Sequence, residues 1–304
     1  MKTDALARRL RYSPPVRKVR RLVLTPADHL IFEAIQRHGP LPTNYLYEFS
    51  KHERQSYLNL QHRLTEFYNG DDTGPYLTRP PAQFDAFAAR YQPLIYDLAP
   101  RAKIALAEYG SLARYSDRKD SKPIHQFMGA CVGASIELIA KLTDFRYIGR
   151  EEILAKAERP LPVQLRAGRL VPDDLFGISG VDDQGDWYRF FAIEIDRNTE
   201  SIERRNLHQT SFGQKVAAYR EVLRDRLYRS AWGIPNLSVL TVTTNATHAA
   251  NLLAYVARDS EYQERFAFAV APAFGSHWRV PREVLAHLVE EPWQTAVGPK
   301  FIDR

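Results

Sequence analysis

The sequence predicts an α/β protein of two domains, the first a small helical domain with a β wing and the second ordered helix, three strands, helix, strand. Three observations carry this expectation. The 304 residues suffice for two buried cores. Residues 25–68 hold helix starts and stops around amphipathic stretches. From residue 145 onward, short apolar and β-branched runs alternate with helical ones. With 44% hydrophobic and 12% aromatic residues, the chain is globular rather than disordered.

The first 22 residues form a basic arm, with Lys2, Arg8, Arg9, Arg11, Arg17, Lys18, Arg20 and Arg21 against Asp4 alone, while the whole chain carries +6. Such an arm suits phosphate neutralisation; a solvated tail is the alternative. After Ser13-Pro14-Pro15, the run Thr25-Pro26-Ala27-Asp28 opens a helix, with Thr25 as N-cap and Asp28 completing a capping box. Leu30, Ile31, Ala34 and Ile35 share one face, and Gly39-Pro40 stops it. A second short helix follows Pro42-Thr43 and buries Leu46 and Phe49.

A third helix spans about 54–68. Tyr57, Leu60, Leu64 and Phe67 or Tyr68 recur at helical spacing, and Gln55, Asn59, His62 and Arg63 share the other face. Amides can pair with adenine and Arg with guanine, which suits a major groove. Gly70 to Pro75 is a turn, and Tyr76 to Arg79 before Pro80-Pro81 reads as a wing strand. Residues 23–115 are thus expected to form a winged helix-turn-helix that binds DNA through Arg17, Lys18, Arg20, Arg21, Gln55, Asn59, His62, Arg63 and Arg79. A surface helix in an ordinary bundle is the alternative.

A helix over about 100–109 closes this domain, and the polar stretch 116–123 marks the boundary. The second domain, 124–304, opens with a helix over 127–142 rich in small residues and carrying Glu137. Strands are expected at 145–148, 170–178 and 187–195, then a helix over 211–227, a buried strand at 237–243, a helix over 246–257 and a strand at 266–270.

The strand Phe190 to Asp196 ends on two acids. Residues two apart share a face, so Glu194 and Asp196 project together while Ile193 and Ile195 pack behind them. If the strand of Asp173 pairs alongside, three carboxylates, Asp173, Glu194 and Asp196, offer hard oxygen donors to an ion such as Mg²⁺ or Mn²⁺. Lys215 and Tyr219 stand one turn apart on the following helix. A solvated strand end bridged to Arg197, Arg204 or Lys215 is the alternative.

Pro172-Asp173, Glu194-x-Asp196 and the helix with Lys215 resemble the PD-(D/E)XK nuclease signature. The longer string Glu194-Ile195-Asp196-Arg197-Asn198-Thr199-Glu200-Ser201 with Lys215-x-x-x-Tyr219 is similar to the replication-relaxation family of plasmids and mobile elements. The likeness covers most of the chain. It implies a PD-(D/E)XK nuclease-like αβββαβ core behind the winged helix, DNA as partner, and a mobile-element protein as a further partner. It also implies a Mg²⁺-dependent endonuclease that nicks or cleaves DNA, with Asp173, Glu194, Asp196 and Lys215 as catalytic residues and Glu137 a further candidate ligand. In it Asp173, Glu194, the Ile195 carbonyl and Asp196 would hold the metal, and Lys215 would orient water or the phosphate. The nuclease pattern has Lys two residues after the Glu, where this chain has Asp196. That departure keeps open a non-catalytic DNA-binding regulator or assembly factor.

The lone cysteine, Cys131, excludes a disulfide framework and points to a reducing, cytoplasmic setting. No apolar run is long enough for a membrane helix, and no signal-peptide core, phosphate-cradling Gly-rich loop, repeat or coiled-coil heptad is present. Of the nine histidines, His208 lies near the acids in sequence. Trp278 and Trp293 are expected to pack.

Overall fold

The computed structural model describes residues 21–53, 56–84, 92–111, 123–197, 211–274 and 279–303. Arg17, Lys18, Arg20, Gln55, His208 and Trp278 lie outside them. The chain divides into two compact units, Met1–Ala134 with Ser276–Val284, and Ser135–Gly275 with Leu285–Arg304. The division falls later than the polar stretch 116–123: it cuts a helix, and a short C-terminal segment returns to the first unit. Asn44 donates to the carbonyl of Pro281 at 2.9 Å, a tie that no local pattern announces.

The first unit runs α1 (Pro26–His38), β1 (Leu41–Pro42), α2 (Thr43–Ser50), α3 (Tyr57–Asn69), β2 (Leu77–Thr78), β3 (Ile95–Leu98) and α4 (Pro100–Glu108). The expected start of α1 forms: Pro26 leads, and the Asp28 carboxylate accepts the Thr25 N–H at 2.8 Å. Leu60, Leu64, Phe67 and Tyr68 of α3 are buried, whereas on α2 Tyr45 and Leu46 are buried and Phe49 only half so. The strands form one antiparallel sheet in the order β1-β3-β2, with Leu41 opposite Tyr96 and Leu77 opposite Leu98. Gly70 ends α3 at φ 70°, and a Cβ there would stand 2.5 Å from the Gly74 carbonyl, so the turn requires glycine.

The second unit contains the C-terminal part of α5 (Pro123–Ala140), then β4 (Arg146–Ile148), α6 (Arg150–Ala157), β5 (Val163–Leu165), β6 (Gly168–Leu170), β7 (Asp174–Asp182), β8 (Gly185–Asp196), α7 (Phe212–Arg224), α8 (Leu227–Trp232), β9 (Ser238–Thr243), α9 (Ala246–Val256), β10 (Phe266–Val270), α10 (His287–Glu290), β11 (Trp293–Thr295) and β12 (Gly298–Lys300). The expected strand 170–178 is divided. Leu170 ends a separate hairpin, β5-β6, and β7 starts at Asp174.

Seven strands form one mixed sheet in the order β12-β11-β10-β9-β8-β7-β4. β4-β7 and β7-β8 are antiparallel, whereas β8-β9 and β9-β10 are parallel, each parallel step crossing through a helix. Ala192, Val216, Tyr219, Val239, Leu252 and Phe268 belong to one buried apolar cluster, which sets α7 and α9 on the sheet face carrying Ala192. By strand alternation Glu194 and Asp196 project from that same face. Trp293 is buried and its indole donates to the Leu288 carbonyl. Among the described residues, no helix is long and apolar enough to cross a membrane.

Candidate functional site

Antiparallel pairing sets Asp174 opposite Ile193, which brings Asp173 level with Glu194. Asp173 is fixed twice by backbone: its N–H donates to the Ile193 carbonyl at 3.1 Å, and its Oδ2 accepts the Ile195 N–H at 2.8 Å. It therefore continues the β7-β8 ladder with a side chain standing in for a carbonyl. The next residue, Asp174, is paired with Arg150 of α6 at 3.0 Å, a partner not visible in the sequence pattern.

Glu194 is 4% exposed. The Tyr219 hydroxyl donates to its Oε1 at 2.6 Å, and the Lys215 ammonium lies 2.9 Å from its Oε2. Lys215 and Tyr219 meet the same carboxylate because they are four residues apart on α7. That helix is itself set by a capping box, in which Ser211 accepts the Gln214 N–H and the Gln214 side chain accepts the Ser211 N–H. Burial first, then the charge of Asp173, push the Glu194 carboxyl up to about 7, against the pull of Lys215 and Tyr219. Burial and the neighbouring Glu194 hold the Tyr219 phenol well above its ordinary range.

Asp196 lies on the same strand face but has a different partner. His248 Nε2 is 3.0 Å from its Oδ2, and both side chains are 6% exposed. His248 stands in the first turn of α9, where Asn245 caps the helix by accepting the His248 N–H at 2.7 Å. The sequence reading singled out His208 and passed over His248. The signal that could have found it is the parallel pairing of Asp196 with Thr243, five residues before His248.

Among the described residues, no group of three or more His, Cys, Asp or Glu side chains is arranged to hold a metal ion. The expected convergence of Asp173, Glu194 and Asp196 thus reduces to a facing pair, Asp173 and Glu194, with Asp196 tied to His248. Two carboxylates that repel each other still match what Mg²⁺ uses when a substrate phosphate completes its shell. Glu137 is buried on α5 and paired with Lys141 at 2.7 Å.

In the first unit, Asn59 and His62 are exposed on α3 as expected, together with Leu58 and Gln61, which the sequence reading did not select. Arg63 differs. Its guanidinium meets the fully buried Asp28 at 2.8 Å, donates to the Val23 carbonyl at 2.6 Å and covers the Phe67 ring. Arg79 likewise donates to the Tyr96 hydroxyl at 2.9 Å and lies 4.0 Å over the Tyr68 ring. Both arginines serve internal packing rather than the outer surface. Arg21 is exposed at the start of the described chain, and the next residue is anchored, since the Leu22 N–H donates to Asp71 at 2.9 Å. Arg101 bridges that same carboxylate and holds it well below the usual carboxylate range.

No protein-family model, curated protein or solved structure matches the chain.

Proposed function

We propose that this is a DNA-binding protein of a plasmid or mobile element, with a winged helix-turn-helix unit that holds DNA and a PD-(D/E)XK nuclease-like unit that acts on a phosphodiester. The observation that carries the reading is Asp173, directly before β7 and tied to the Ile193 carbonyl and the Ile195 N–H, standing level with Glu194 of β8 while Lys215 reaches Glu194 from α7. The sheet run β4-β7-β8-β9, with two antiparallel steps and then a parallel one, α5 before β4 and α7 and α8 between β8 and β9, supports it, with α6 and the β5-β6 hairpin inserted between β4 and β7. The order α1-β1-α2-α3-β2-β3, with its strands in one β1-β3-β2 sheet, supports the DNA-binding half.

In this reading Asp173 and Glu194 are the residues that would hold Mg²⁺ or Mn²⁺, which when bound supplies charge neutralisation at the phosphate and an activated water. Asp173 is pre-set by the Ile195 N–H, which lowers the cost of orienting it on binding. Tyr219 keeps the Glu194 carboxylate turned toward Lys215. Lys215, 22% exposed, is the cation that would meet the phosphate or orient the water.

A second reading, a non-catalytic regulator or assembly factor that recruits a mobile-element protein, is favoured by one observation. Asp196 occupies the place of the nuclease lysine and is held by His248.

Incubating supercoiled and linear DNA with the full chain and Mg²⁺ or Mn²⁺, beside Glu194→Ala and Lys215→Ala, separates the two. Nicking by the wild type alone, with both variants still binding DNA, is expected. DNA binding without metal-dependent cleavage would leave the regulator standing.

A further inference from the structure

We infer that α3 reads A·T base pairs, with Leu58 in apolar contact with the thymine 5-methyl group and Asn59 and Gln61 supplying amides to adenine. The inference rests on the proposed DNA-binding role of the first unit. Arg63 is the one Lys or Arg between Tyr57 and Asn69. Its guanidinium is spent on Asp28 and the Val23 carbonyl, so the helix offers no arginine to a guanine edge. What remains on the outer face near the helix start is Leu58, Asn59, Gln61 and His62, all exposed.

Leu58 is 58% exposed, while Leu60 and Leu64 of the same helix are fully buried. A leucine left in water beside two amides matches the major-groove edge of an A·T pair: a methyl group, a carbonyl acceptor, and the adenine donor and acceptor. Charge complementarity selects DNA as the occupant. The eight cations of residues 1–22 precede Val23 in sequence, and Arg63 of α3 binds the Val23 carbonyl, so the residue that directly follows the basic stretch lies against this helix.

The test uses the full chain and random DNA duplexes, from which bound sequences are selected. The enriched duplex is then remade with deoxyuridine for thymidine, which removes only the methyl groups. A·T-rich selection is expected, with the wild type losing about three- to fivefold in affinity on the uracil duplex. Leu58→Ala, an exposed substitution, should bind the two duplexes equally and keep the wild-type salt dependence. Asn59→Ala should keep the methyl effect and weaken the preference for adenine, which Asn59→Ala combined with Gln61→Ala should weaken further. Wild-type indifference to the methyl group, G·C-rich selection, or an undiminished methyl effect in Leu58→Ala overturns the assignment. A pool bound without enrichment overturns it and spares the DNA-binding reading. A pool not bound at all overturns both.

Discussion

The Tyr219 hydroxyl donates to Glu194 Oε1 at 2.6 Å, so a phenol on α7 fixes a carboxylate on β8 that is almost without solvent. The pair makes the site a pH-dependent element of the fold as well as a candidate for chemistry.

Glu194 has a folded-state pKa raised from its ordinary 4.5 to about 7. Between those values the folded protein binds more protons than the unfolded chain, so the Glu194 contribution to stability is full below pH 4.5 and is lost as pH rises through about 7. Denaturation of the wild type and Glu194→Gln across this window should show the wild type losing stability relative to the variant. Parallel curves would remove the shift. Tyr219→Phe should cost about 1–3 kcal/mol and extend the sloping window to higher pH, because it removes a donor that favours the charged carboxylate.

The His248–Asp196 pair is buried on both sides, so each substitution alone strands a polar group. A double-mutant cycle with His248→Ala and Asp196→Ala should give a coupling of about 0.5–3 kcal/mol. Additive losses would mean that the two side chains do not support each other, and Asp196 would again be available to join Asp173 and Glu194.

Arg63→Ala should destabilise the first unit in the absence of DNA by about 2–4 kcal/mol, since it removes the guanidinium that meets the fully buried Asp28 and uncovers Phe67. Arg63→Lys should recover only part of this, because an ammonium cannot span Asp28 and the Val23 carbonyl together. Unchanged thermal melts would return Arg63 to the DNA-reading set.

Local physical chemistry in the sequence determined most elements and one half of each site. Thr25 to Asp28 could only be a helix start, and period-2 alternation put Glu194 and Asp196 on one strand face. The spacing of Lys215 and Tyr219 put them on one helix face. The short strands β11 and β12 at one end of the sheet and the hairpin β5-β6 were not legible, since three-residue runs carry too little periodicity. Tertiary structure decided which partner each charge took. Arg63 reaches Asp28 across 35 residues, and His248 reaches Asp196 across 52. A buried carboxylate must find a donor wherever the fold brings one near. Strand pairing and helix packing, which bring distant segments together, therefore settled that Asp196 met a histidine and Glu194 a lysine and a tyrosine.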